Sequence, residues 1–160
     1  AFDTLTKKAP FAEYGGPNPT DRARQGVKQS LLIDKKGAPL FVALAPANVH
    51  DSKLLNPIIS TLRKSKHTRI LAADSAFDAQ KLYELCKVKN IKLDAATNTR
   101  RSKNKPKHIP EFRWIVERTL GWFSWNRGLK ICWAKSEISH LAFLQIAASV
   151  QPFKMGGVFV

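Results

Sequence analysis

The chain has 160 residues and carries 27 Lys and Arg against 12 Asp and Glu, a formal net charge of +15. One domain of this length can bury a sizeable core, and so large a basic excess points to a polyanionic partner, nucleic acid before membrane. No apolar run approaches the roughly 20 residues that span a bilayer and no signal peptide opens the sequence, which argues against a membrane or secreted protein and for a cytoplasmic one.

Ala1 to Thr6 is an alternating, strand-like run that begins without a lead-in, as expected of a fragment of a longer protein. Gly15 to Arg22 is too rich in Gly and Pro for a regular element and reads as a surface loop. Val27 to Ile33 reads as a strand, Asp34-Lys35-Lys36-Gly37 as a turn, and Leu40 to Leu44 as the returning strand of a hairpin. Asp51 or Ser52 can then cap a helix carrying Leu54, Leu55, Ile58, Ile59 and Leu62, which basic residues end at Arg63 to Lys66. Ile70 to Ala73 suits a central strand covered on both faces, and it terminates at Asp74. Asp78 is expected to cap a second helix with Leu82, Leu85 and Cys86 inward, and Ile91 to Ala96 reads as a fifth strand.

Asn98 to His108 holds Arg100, Arg101, Lys103, Lys105 and Lys107 with no acid. It is either a solvated tether or a phosphate-contacting loop. In the helix that follows, Phe112, Val116, Leu120 and Phe123 share one face, with Ile115 and Trp122 at its edge. Arg113, Glu117, Gly121 and Ser124 share a second face, and Trp114, Arg118 and Trp125 a third. Taken alone, Arg113 and Glu117 make an i,i+4 ion pair worth about a few tenths of a kcal/mol. Glu137 to Lys154, with Leu141, Phe143, Leu144, Ile146, Ala147 and Val150, reads as a closing amphipathic helix. The element order predicts an α/β fold with a mixed five-stranded sheet flanked by helices. Cys86 and Cys132 lack ligand spacing and are expected to be reduced, packed thiols, so no structural zinc site is expected.

Three acids could meet: Asp3 in the first strand, Asp74 at the end of the central strand and Glu117 on the later helix. Brought together they would repel unless cations neutralised them, and hard divalent ions do this well. Spacing alone does not decide the matter.

Five ordered blocks carry a resemblance that does. Asp3-Thr4-Leu5-Thr6-Lys7-Lys8-Ala9-Pro10, Gly16-Pro17-Asn18-Pro19-Thr20-Asp21-Arg22, Ala47-Asn48-Val49-His50-Asp51, Ala73-Asp74-Ser75-Ala76-Phe77-Asp78 and Arg113-Trp114-Ile115-Val116-Glu117-Arg118-Thr119 are similar to segments of bacterial insertion-sequence transposases of the DDE class, especially the insertion sequence 5 and 4 groups. The resemblance implies a single RNase H-like catalytic domain over residues 1–160, with the family's usual N-terminal DNA-binding segment missing. It implies Asp3, Asp74 and Glu117 as a metal-binding triad for two Mg²⁺ ions, Mn²⁺ being the alternative, with Arg113 orienting the glutamate or a phosphate. Water would cut DNA at the transposon end, and the freed 3′-OH would attack target DNA. DNA would be the partner, contacted by the basic loop, Arg118 and Arg127, with a homodimer pairing two ends and no membrane or small-molecule substrate. The alternatives are an inactive remnant that only binds DNA and a hydrolytic nuclease of the same fold. The chain departs from the insertion sequence 4 pattern at Pro110, where that pattern has a tyrosine, and at Ser124, where it has a lysine. His50 and Asp51 are expected to serve as a loop and helix cap.

Overall fold

Apolar runs, Leu31 to Ile33 and Pro39 to Pro46, flank the Asp34 turn, which suits a hairpin covered on both faces. The computed structural model describes residues 1–98 and 106–156, and in it β3 (Gln25–Ile33) and β4 (Pro39–Pro46) form that hairpin, with β1 (Phe2–Lys8) antiparallel on the other side of β3. Asp34 Oδ1 accepts from the backbone amides of Lys36, Gly37 and Ala38, at 2.8, 2.9 and 2.8 Å, and Gly37 takes a φ of 100° that suits glycine. A two-residue strand, β2 (Gly16–Pro17), adds to the start of β3 within the expected loop.

α1 (Asp51–Thr61) leads to β5 (Arg69–Ala73), and α2 (Gln80–Val88) to β6 (Ile91–Ala95), which pairs parallel with β5. The expected mixed five-stranded sheet does not form as one ladder: the strands make an antiparallel four-stranded sheet and a separate parallel two-stranded one. β1 and β5 lie in contact at the seam. Side chains hold it, with the Phe2 ring edge-on to Phe77 at 5.0 Å between centroids.

α1 and α2 cover one face, burying Leu55, Ile58, Ile59, Leu82 and Cys86 with Phe2, Leu32 and Leu71. α3 (Arg113–Trp125), the short α4 (Arg127–Lys130) and α5 (Glu137–Met155) serve the other, where Val116, Leu120, Phe123, Leu129 and Leu144 meet Leu31 and Ile33. Adjacent residues of β3 thus point to opposite cores. Both cysteines are free and buried. No described helix is long and apolar enough to cross a membrane.

Three local expectations change. His50, not Asp51 or Ser52, is the N-cap of α1, its side chain accepting from Ser52 N. Asp78 does not cap α2, whose N-cap is Ala79; its carboxylate accepts instead from Tyr83 Oη and Asn98 N. On α5 the inward face runs through His140, Leu144 and Gln151, leaving Ile138, Phe143 and Ile146 exposed.

His140 is fully buried, placed between Tyr14 and Gln29. Gln29 Nε2 faces its Nε2 at 3.1 Å and also donates to Leu129 O, so the ring ties α5 to β3 and α4. Burial holds the imidazole pKa down to about 4, from 6.5 in the unfolded chain. The unfolded chain binds the proton first as pH falls, so stability is full above pH 6.5 and declines towards pH 4. Because Asp3 titrates in the opposite sense over the same range, the histidine is isolated by difference: in denaturant titrations the wild type should lose up to about 3 kcal/mol more than His140→Gln between pH 6.5 and pH 4.

Candidate active site

Three elements that are distant in sequence bring the candidate residues together. β1 alternation turns Asp3 to the face covered by α3, since its neighbour Phe2 packs in the opposite core. Asp74 ends β5 and caps a one-turn 3₁₀ helix, Ser75–Phe77, its Oδ1 accepting from Ser75 N at 2.6 Å. Glu117 sits on α3, half-exposed.

Arg113 joins two of these acids. Its Nη1 lies 3.2 Å from Asp74 Oδ1 and its Nη2 2.8 Å from Glu117 Oε1, so the expected i,i+4 pair exists and reaches a second element as well. Arg113 Nε is buried without a partner. Asp3 belongs to the same electrostatic group. Burial raises its pKa to about 6; the Thr4 amide opposes the shift, Asp74 and Glu117 add to it by repulsion, and Arg113 attracts.

This arrangement holds three carboxylates and one guanidinium, so negative charge remains that Arg113 does not offset. Among the described residues no three His, Cys, Asp or Glu side chains stand close enough together to hold one metal ion. The donors are nevertheless all carboxylate oxygens, with a buried Asp whose ionised form lacks sufficient countercharge. That chemistry fits a hard divalent cation.

The basic candidates are more dispersed. Arg100, Arg101, Lys103 and Lys105 lie outside the described residues. Lys107 is exposed on a segment pinned to the end of β6, where Thr97 bonds to Pro106 O and to both backbone polar groups of His108. Arg118 is turned away from Glu117. Its guanidinium lies 4.9 Å from the Trp114 ring and 4.8 Å from that of Trp122, and donates to Lys36 O at 3.1 Å. Arg127 is exposed at the start of α4. Trp125 is exposed and Trp122 half-buried. His50 and Asp51 hold the loop before α1, Asp51 pairing with Lys28 Nζ at 2.8 Å and accepting from Thr4 Oγ1.

One cation escaped the sequence reading. Lys7 Nζ lies 2.6 Å from Ser124 Oγ, on the face of β1 that carries Asp3. Period-two alternation from Asp3 through Leu5 was the signal that could have found it.

The Transposase DDE domain family matches residues 3–150. A Burkholderia cepacia protein assigned as the transposase for insertion sequence element IS402 is 32% identical over 142 residues, covering 82% of this chain. The chain spans 64% of that relative's length.

If Asp3 is held among like charges at a net cost, Asp3→Asn should stabilise the metal-free protein at pH 7 by about 1–2 kcal/mol. A raised folded-state pKa leaves the wild type least stable above pH 6, so the difference should vanish below pH 4. Equilibrium unfolding with chelator present measures it, and a destabilised Asp3→Asn would refute the repulsion argument.

Proposed function

The chain belongs to the Transposase DDE domain family, and from that premise we propose that it cuts and joins DNA strands at a site built from Asp3, Asp74 and Glu117. The observation that carries this reading is the Arg113 bridge between Asp74 and Glu117, with Asp3 inside the same field. An RNase H-like architecture agrees with it, given antiparallel β4, β3 and β1 followed by β5 beside β1 and a parallel β6.

Asp3, Asp74 and Glu117 would hold two Mg²⁺ ions, which supply activation of the attacking hydroxyl and stabilisation of the leaving oxygen. Arg113 fixes the rotamers of Asp74 and Glu117 before any ligand arrives. With the acids holding cations, its guanidinium would be free to grip a phosphate, for which its forked donors are suited. The basic surface gathers the polyanion, and Lys107 and Arg127 stand exposed for that purpose. Two such chains would pair two transposon ends as a homodimer. A second reading, DNA binding without chemistry, draws support from Arg113 occupying the ion pairs that cations would replace.

In the full-length protein, Asp74→Asn and Glu117→Gln should abolish Mg²⁺-dependent nicking and joining of transposon-end duplexes while near-ultraviolet circular dichroism stays unchanged. Arg113→Lys should cost about 10–100-fold, the usual effect of losing a ligand-orienting partner. Salt-sensitive binding with no product from the wild type would select the second reading. Nicks without joined product would select a hydrolytic nuclease.

A further inference from the structure

Where α3 packs on β1, the two ends of the contact differ in charge. Asp3, Leu5 and Lys7 point from β1 towards α3, and Arg113, Glu117, Gly121 and Ser124 recur along the facing side of the helix. The two rows run in the same direction, since Arg113 acts on Asp3 at one end while Lys7 meets Ser124 at the other. Between Glu117 and Ser124 that helix face carries only Gly121, and a Cβ added there would meet nothing within 4 Å. At Gly121 the helix face is therefore unobstructed, while Leu5 beside it packs into the core.

The far end holds charge without a countercharge. Lys7 is half-buried, and its ammonium touches Ser124 Oγ, whose own hydroxyl donates to Leu120 O at 3.0 Å. Among the described residues no carboxylate pairs with Lys7. The charged group that bears on it is another cation, Lys130 of α4, and burial followed by that repulsion lowers its pKa. Two ammonium groups drawn together on a partly desolvated surface are unfavourable for the protein alone. An anion spanning them would reverse the sign.

We propose that Lys7, seated on Ser124 and assisted by Lys130, binds a backbone phosphate of the DNA strand whose scissile phosphate lies at the carboxylates, and that Gly121 keeps the path between them clear. Glu117 and Ser124 are about 10 Å apart along the helix at 1.5 Å per residue. That is roughly three steps of a strand with one phosphate per 3.4 Å of axis. The position that lacks a lysine on α3 thus receives its cation from β1. This assignment rests on DNA being the substrate, but not on the chemistry being intact.

Fluorescence anisotropy of a short labelled duplex, titrated against the full-length protein at several salt concentrations, tests it. Lys7→Gln, which keeps a donor for Ser124, should weaken binding several-fold and reduce the slope of log K against log salt by about one. Adding Ser124→Lys should restore both, because it returns a cation to the same place. Gly121→Leu should weaken binding with no loss of thermal stability, since the helix gains a better former and the added Cβ meets nothing within 4 Å. An unchanged salt slope in Lys7→Gln, or a folded double variant that fails to recover it, overturns the assignment. Mg²⁺-dependent nicking by the wild type is scored separately. Its absence beside a Lys7-dependent slope would sink the chemical reading and leave the phosphate site standing.

Discussion

Three carboxylates from a strand, a strand end and a helix can be packed together only if something offsets their repulsion. Arg113 does so from α3, reaching Glu117 on its own helix and Asp74 at the end of β5. One guanidinium between the acids thus preserves the geometry of the site in the absence of any other cation. Burial chiefly raises the pKa of Asp3, and repulsion from Asp74 and Glu117 adds to it in spite of Arg113.

Electrostatics alone would not place these acids; the two cores do. Each of two site residues has a phenylalanine close by in sequence: Phe2 beside Asp3, and Phe77 one turn after Asp74. Those rings pack edge to face in the core under α1 and α2. The contact joins β1 to β5 where no ladder does, so apolar packing on one side of the seam positions carboxylates on the other. α3 is registered as firmly. Thr119 Oγ1 donates to Gly37 O, Arg118 Nη2 donates to Lys36 O, and Ile115 stands 3.1 Å from where a Gly37 Cβ would be. The left-handed turn at Gly37 therefore sets the height of α3 above the sheet, and with it that of Glu117.

Much of this was legible in the sequence because it is periodic. Every strand of the main ladder beyond two residues, and the three long helices after it, follow from alternation or from apolar recurrence at helical spacing. What was not legible depends on neighbours that no local pattern encodes. Asp78 has the composition of a helix cap, yet Tyr83 and the Asn98 amide compete for its carboxylate and win. Arg118 was readable as a cation, but not that its guanidinium would lie against two indoles and donate to a turn carbonyl. Phe112 was assigned to the apolar face of α3 but lies at its N-cap and is exposed, while Thr119, polar by type, is buried because Gly37 O receives its proton. Lys7 was readable in principle.

The net charge of +15 and the acidic cluster are two parts of one arrangement. A strongly basic surface attracts a polyanion over distances set by salt screening, about 10 Å at 0.1 M. Carboxylates at the point of approach oppose it over the last few ångströms. Divalent cations entering between acid and phosphate would end that opposition, so the same carboxylates that repel a bare strand would favour one arriving with such ions. Lys7 and Lys130, beside Ser124, would act as the proposed phosphate site without them. A strand laid along β1 and α3 would be held at its cationic end first, and reach the acids in register.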